Sequence, residues 1–186
     1  MANLAVFASG SGTNFEAITK AVLKTEHKVC CLICDKKDAA VFERAKKLRI
    51  PSFHVSYKSR TKAETEEEMI KILTEKETDL IALAGFMRLL TPKLVDCFKD
   101  RIINIHPSLL PKYPGTNGIK DSWESGDTEL GITIHRIDYG LDTGPVIMQK
   151  SFSRYTDSSL EEVENRIHTL EHQFYPQVLL DILGSI

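Results

Sequence analysis

"IINIHPSLLPKYPG", residues 102–115, opens on apolar residues and sets two polar side chains, Asn104 and His106, one isoleucine apart. Pro107, Pro111 and Pro114 then follow in quick succession. A run of apolar and β-branched residues reads as a buried strand. Proline cannot continue a strand's hydrogen-bond ladder, so this strand ends near Pro107. Residues two apart on a strand share a face, so Asn104 and His106 project together from its carboxyl end, beside a stiff loop.

Four more apolar runs lie upstream: "NLAVFAS" (3–9), "KVCCLICD" (28–35), "PSFHV" (51–55) and "DLIALAG" (79–85). Helical patterns separate them. One spans 13–24, one is N-capped by Asp38 and runs to Leu48, and a charged amphipathic one covers 61–77. A fourth has Thr91 as N-cap and Pro92 at the first helical position. Strands alternating with helices, and reading as continuous apolar runs, predict a parallel sheet covered on both faces. After residue 128 the rhythm changes. "ELGITIHRID" and "GPVIMQKSFS" are joined without a helix, which predicts an antiparallel pair. Ser158 and Glu161 form a capping-box pattern that opens a final helix over 158–183. The predicted fold is α/β: a mostly parallel, doubly wound, Rossmann-like sheet with an antiparallel C-terminal portion and a long C-terminal helix.

The 186 residues fit a single domain, and 42% hydrophobic with 27% charged residues is ordinary for a soluble one. A formal net charge of −2 gives no basic excess for nucleic acid or an anionic membrane. No stretch approaches the roughly 20 apolar residues that span a bilayer. The start, "MANLAVFASGSGTN", lacks a basic n-region, so a cytoplasmic protein is expected. Of the four cysteines, Cys31 and Cys34 spell C-x-x-C. On a strand these two point to opposite faces and can share neither a metal nor a disulfide. The thiols are expected to be buried and inert.

In an open α/β sheet, ligands bind outside the carboxyl ends of the parallel strands. "SGSGTN", "GFMR" and the Asn104/His106 pair all fall there. "GSGTNF" invites a dinucleotide reading, with Asp35 ending the second strand, but the third glycine of G-x-G-x-x-G falls on Phe15. What survives is a tight turn feeding a helix N-terminus, suited to one phosphate monoester or simply to a β-to-α turn. His106 can be a structural histidine. Beside Asn104, it can also move a proton while the amide stabilises an oxyanion. "DYGLDTGPV" (138–146) reads as a hairpin turn unless Asp142 approaches His106. His135, Asp142 and His106 share no regular ligand spacing, so no metal is expected. His27, His54 and Trp123 read as surface or packing residues.

Asn104-x-His106 with "PSLLPKYPG", "GLDTGPVI" further on, "SGSGTN" at the start and "LAGFMRLL" (83–90) together resemble the folate-dependent formyltransferases. The likeness runs from residue 3 to about 180, with the motifs in order. Its phosphate turn is similar to that of members acting on glycinamide ribonucleotide. The resemblance implies transfer of a formyl group from 10-formyltetrahydrofolate, as a co-substrate, to the amine of that ribonucleotide in purine synthesis. It implies Asn104, His106 and Asp142 as the catalytic trio, and Gly12, Thr13, Asn14 and Glu171 as binders of phosphate and ribose. For the folate it implies Arg60, Met87, Arg88, Leu89, Leu90, Asn104, Gly140, Leu141 and Asp142, and it implies a cis Leu110-Pro111 bond. One formyltransferase domain over 1–186 is expected, with a phosphate-binding half at 1–100 and a catalytic, folate-binding half at 101–186. Its partners are small molecules, without nucleic acid or membrane, in a monomer or weak homodimer. Two departures stand out. The family's arginine near the folate tail has Arg60 or Lys62 as its counterpart here. The histidine usual after "PG" is missing from "PGTNGIK", leaving Asn117 nearby. The rival of another class is a nucleotide-binding module without catalysis, resting on "GSGTNF" and Asp35.

Overall fold

Each apolar run becomes a strand of one sheet. In the computed structural model, which describes residues 1–155 and 158–186, the chain follows a fixed alternation. The first half contains β1 (Asn3–Ala8), α1 (Thr13–Val22), β2 (Lys28–Cys34), α2 (Val41–Leu48), β3 (Ser52–His54), α3 (Lys62–Glu75), β4 (Leu80–Leu83) and α4 (Pro92–Cys97). The second contains β5 (Ile102–His106), α5 (Gly118–Glu124), β6 (Glu129–Arg136), β7 (Val146–Ser153) and α6 (Leu160–Leu183). The strand order is β3-β2-β1-β4-β5-β6-β7. The first five strands pair in parallel, while β6 and β7 are antiparallel. The order reverses between β1 and β4, and such a switch point opens a crevice at the carboxyl ends.

Both faces of the parallel strands are covered, which explains why their sequences do not alternate with polar residues. Leu4, Val6, Ala82, Ile103 and Ile105 face one side, against Phe15 and Ile18 of α1 and Val163 and Ile167 of α6. Ala5, Phe7, Ile81, Leu83 and Ile102 face the other, against Met69 and Leu73 of α3 and Leu94 of α4. Burying each large side chain contributes about 1.5–3 kcal/mol. Tyr175 of α6 is 0% exposed, and its hydroxyl lies 3.0 Å from the Leu83 carbonyl and 2.9 Å from that of Ile103. Burial drives its pKa well above the ordinary value, so it stays a neutral donor between the ends of β4 and β5.

Several local expectations are displaced, most of them by a tertiary contact. Asp38 does not cap α2, which starts at Val41 behind Ala40. The Val41 N–H instead donates to the Gly10 carbonyl at 3.2 Å. Thr91 does precede Pro92 as N-cap, but no side-chain cap forms because its hydroxyl is bound to Glu66. The final helix is capped by Ser159 and Glu162, one residue beyond the expected pair. The Ser158 carbonyl accepts from Trp123 Nε1 at 2.8 Å, making Trp123 a packing residue as expected. Cys31 and Cys34 are buried in the cores on opposite faces, whereas Cys97 is exposed rather than buried. Leu110-Pro111 is cis.

Candidate active site

A cleft of about 560 Å³ lies across the switch point. Its walls are the turn Gly10–Asn14, the segment Leu83–Leu90, Asn104–His106 of β5 with Pro107 after it, the stretch following Pro114, and Gly140–Asp142 from the loop between β6 and β7. Glu164, His168 and Glu171 of α6 close it. Segments far apart in sequence thus converge where the chain direction of the sheet reverses.

At the end of β5, His106 is 3% exposed, and its Nε2 lies 2.7 Å from the Tyr113 carbonyl. A carbonyl only accepts, so Nε2 carries the proton and Nδ1 is the position left to take part in proton movement. That Nδ1 lies 3.5 Å from Asp142 Oδ2. Asp142 has a φ of +54°, and its Oδ2 accepts the Gly115 N–H at 2.8 Å. The loop is therefore more than a hairpin: its carboxylate is fastened to the proline-rich loop beside the imidazole. Asn104 sits two residues before His106 on the same face, and its Nδ2 lies 3.1 Å from His135 Nε2.

His135, weighed in the sequence only as a metal ligand, is a further candidate site residue. It is opposite Asn104 in the β5–β6 register and 0% exposed. Its Nδ1 lies 2.9 Å from the Arg136 carbonyl and so holds the ring proton, leaving Nε2 to accept from the Asn104 amide. Burial pushes the His135 pKa down, which keeps the ring in that neutral form. Its Nε2 is 3.7 Å from Asp142 Oδ1. With His135 accepting one Nδ2 hydrogen, the other Asn104 N–H is oriented as a fixed donor. The only signal in the sequence was the H-x-x-x-x-x-x-D spacing from His135 to Asp142, which carries no meaning until the strands are paired.

Gly12, at φ +75°, is the N-cap of α1 and no side chain caps the helix. The first-turn N–H groups therefore point out of the helix end toward the cleft as an anion-binding dipole. Asn14 Nδ2 donates to Glu171 Oε2 at 3.0 Å, and His168 Nδ1 lies 2.9 Å from the same oxygen. Glu171 is 5% exposed, so it is not a solvated helix residue. The hydrogen bond to Glu171 raises the pKa of His168, a cleft-lining residue that no sequence pattern singled out.

Met87 to Leu90 line the opposite wall, with Met87 at 53% and Leu89 at 49% exposure. Gly140, Leu141 and Asn117 also line the cleft. Arg60 does not: its guanidinium is tied to Glu68 and to the Glu64 carbonyl on α3. Asp35 is not free to hold a ribose, because its oxygens accept from Ser9 Oγ at 2.6 Å and Arg88 Nε at 2.8 Å. Among the described residues no group of three His, Cys, Asp or Glu is placed to hold a metal, and no helix is long and apolar enough to cross a membrane.

A family model for formyl transferases matches residues 2–179. The chain is 46% identical over 188 residues to phosphoribosylglycinamide formyltransferase of Bacillus subtilis, covering 99% of this chain and 96% of that protein. It is 38% identical over 182 residues to the protein of that name in Haemophilus influenzae, covering 96% and 86%. Among solved structures, glycinamide ribonucleotide transformylase 1 from Geobacillus kaustophilus superposes with a TM-score of 0.95 at 45% identity, covering 99% and 100%.

Proposed function

The chain belongs to the formyl transferase family and is a formyltransferase of the kind that serves purine synthesis; from that premise we propose that it transfers the formyl group of 10-formyltetrahydrofolate to the primary amine of glycinamide ribonucleotide. The observation that carries this reading is the convergence of Asn104, His106 and Asp142 on one cleft that also holds an uncapped helix N-terminus. A nucleotide-binding module without catalysis has no use for the first three.

The ribonucleotide's phosphate sits on the turn Gly12-Thr13-Asn14, and its ribose hydroxyls donate to Glu171. The donor's ring system lies between Met87–Leu90 and Gly140–Asp142. Phosphate binding thus falls in residues 1–100 and the chemistry in 101–186, with the donor wall drawn from both halves. The amine attacks the formyl carbon, and a C–N bond forms as negative charge develops on the formyl oxygen. Asn104, held by His135, donates its free amide N–H to that oxygen. His106 Nδ1, when protonated, donates there as well and then supplies the proton that the departing folate nitrogen needs. Asp142, anchored by the Gly115 N–H, keeps the imidazole turned toward the reacting atoms. The attacking amine gives up one proton, which passes through solvent to His106 Nδ1 in place of the one delivered to the folate nitrogen, so the balance closes without a nucleophilic side chain.

The test follows folate absorbance and formylglycinamide ribonucleotide together, with purified protein and both substrates. Stoichiometric formation of both products is expected. Release of formate with no formylated ribonucleotide would overturn the acceptor assignment.

A further inference from the structure

The buried carboxylate of Asp35 takes no part in the chemistry above. It directly follows β2, its side chain is 0% exposed, and both oxygens are engaged. Oδ1 accepts from Ser9 Oγ at 2.6 Å and Oδ2 from Arg88 Nε at 2.8 Å. Ser9 Oγ in turn accepts the Met87 N–H at 3.0 Å, and the Ser9 N–H donates to the Gly85 carbonyl at 3.1 Å. These links close a ring through the ends of β1 and β2 and the segment that follows β4. The Arg88 guanidinium also lies over the Tyr57 ring, 5.0 Å from its centroid. At the other end of the segment, Glu66, 1% exposed, accepts the Thr91 N–H at 2.9 Å.

A loop of this length, carrying half-exposed Met87 and Leu89, would ordinarily be mobile. Here two buried acids from different elements fasten its ends. Burying a carboxylate is costly unless its oxygens are satisfied, so this arrangement holds only while Ser9 and Arg88 stay in place. The dependence is mutual, and it fixes the loop.

We infer that Asp35 is a positioning residue for the formyl donor, holding Met87 and Arg88 so that the Met87–Leu90 wall stands preformed against it. The inference rests on the donor reading under Proposed function. Asp35 touches neither substrate, and it acts through the wall alone. Pre-ordering the wall raises donor affinity, because binding then pays little of the ordering entropy.

Asp35→Asn keeps the shape and removes the charge. Losing the charge-assisted hydrogen bond to Arg88 should raise the KM for 10-formyltetrahydrofolate about tenfold. The KM for glycinamide ribonucleotide and kcat should each stay within about twofold of wild type. Amide hydrogen exchange should quicken across residues 85–90 and stay unchanged across 13–18. Ser9→Ala, which removes the bridge from Asp35 to the Met87 N–H but leaves the Asp35–Arg88 bond in place, should give the same pattern more weakly, and it carries the test if Asp35→Asn fails to fold. Equal rises in both KM values, or no change in either KM or exchange, would overturn the inference. The exchange comparison needs no activity. If wild type itself turned over no formyl donor, the functional reading would have failed, and exchange alone would decide whether Asp35 sets the wall.

Discussion

Gly12→Ala is a small change with a large expected cost, and the structure says why. Gly12 has a φ of +75°, where an L side chain costs about 1–2 kcal/mol. A Cβ built there meets Val41 Cγ2 at 2.4 Å, Val41 Cβ at 2.7 Å and the Val41 Cα at 3.0 Å. Ordinary contact begins near 3.4 Å, so either the turn or the first residue of α2 must give way by about 1 Å. Overpacking of this kind costs about 1–3 kcal/mol. The two effects together give about 2–5 kcal/mol, a large part of a typical stability of about 5–15 kcal/mol. In a chain of this size that lowers Tm by about 4–20 °C. The same displacement moves the first-turn N–H groups, and a misplacement of about 1 Å can cost up to about 100-fold in function. Differential scanning calorimetry gives the first number. Titration with glycinamide ribonucleotide and with a folate separately gives the second, since only the ribonucleotide should weaken. An unchanged Tm would refute the packing argument. Equal loss of both affinities would refute the assignment of the turn to one substrate.

Glu171→Gln should raise the KM for the ribonucleotide about tenfold, the loss expected for a charge-assisted hydrogen bond; an unchanged KM would return Glu171 to a structural tie with Asn14. The same variant carries a pH signature. The bond to Glu171 raises the His168 pKa, so its stabilisation is fully present below the unfolded value of about 6.5 and lost as pH rises through the folded one. The fall in Tm on the alkaline side of about pH 6.5 should therefore flatten in Glu171→Gln, as thermal melts at closely spaced pH values would reveal. Tyr175→Phe should cost about 1–3 kcal/mol of stability by leaving buried carbonyls short of a donor, measured by urea denaturation, with both KM values unmoved.

What the sequence disclosed was whatever depends on one element at a time. Leu80–Leu83 and Ile102–His106 read as strands because both faces are covered, and Asn104 and His106 read as a pair because strand periodicity places them together. What stayed hidden depends on partners distant along the chain. His135 became a candidate partner of Asn104 only once β6 lay beside β5 with His135 opposite Asn104. The N-terminus of α2 looked like the work of Asp38, but the Gly10 carbonyl meets Val41, a contact that no local pattern encodes. "SSLEE" holds two overlapping capping boxes, and the Trp123 bond to the Ser158 carbonyl accompanies use of the second. The short helix α5 has Asn117 as its N-cap without a side-chain cap bond, and its seven residues are too few to show a helical period in the sequence. Arg60 had the right charge near the right place, yet α3 supplies Glu64 and Glu68 to hold it away from the cleft.

The central claim is that Asn104, His106 and Asp142 act on the transition state rather than on binding. The direct measurement is single-turnover formyl transfer by wild type and His106→Ala, with the dissociation constants of both substrates measured on the same preparations. The account predicts a fall of at least about 100-fold in the chemical rate, with both dissociation constants within about threefold of wild type. A rate near wild type, or a loss of affinity that matches the loss of rate, would contradict it.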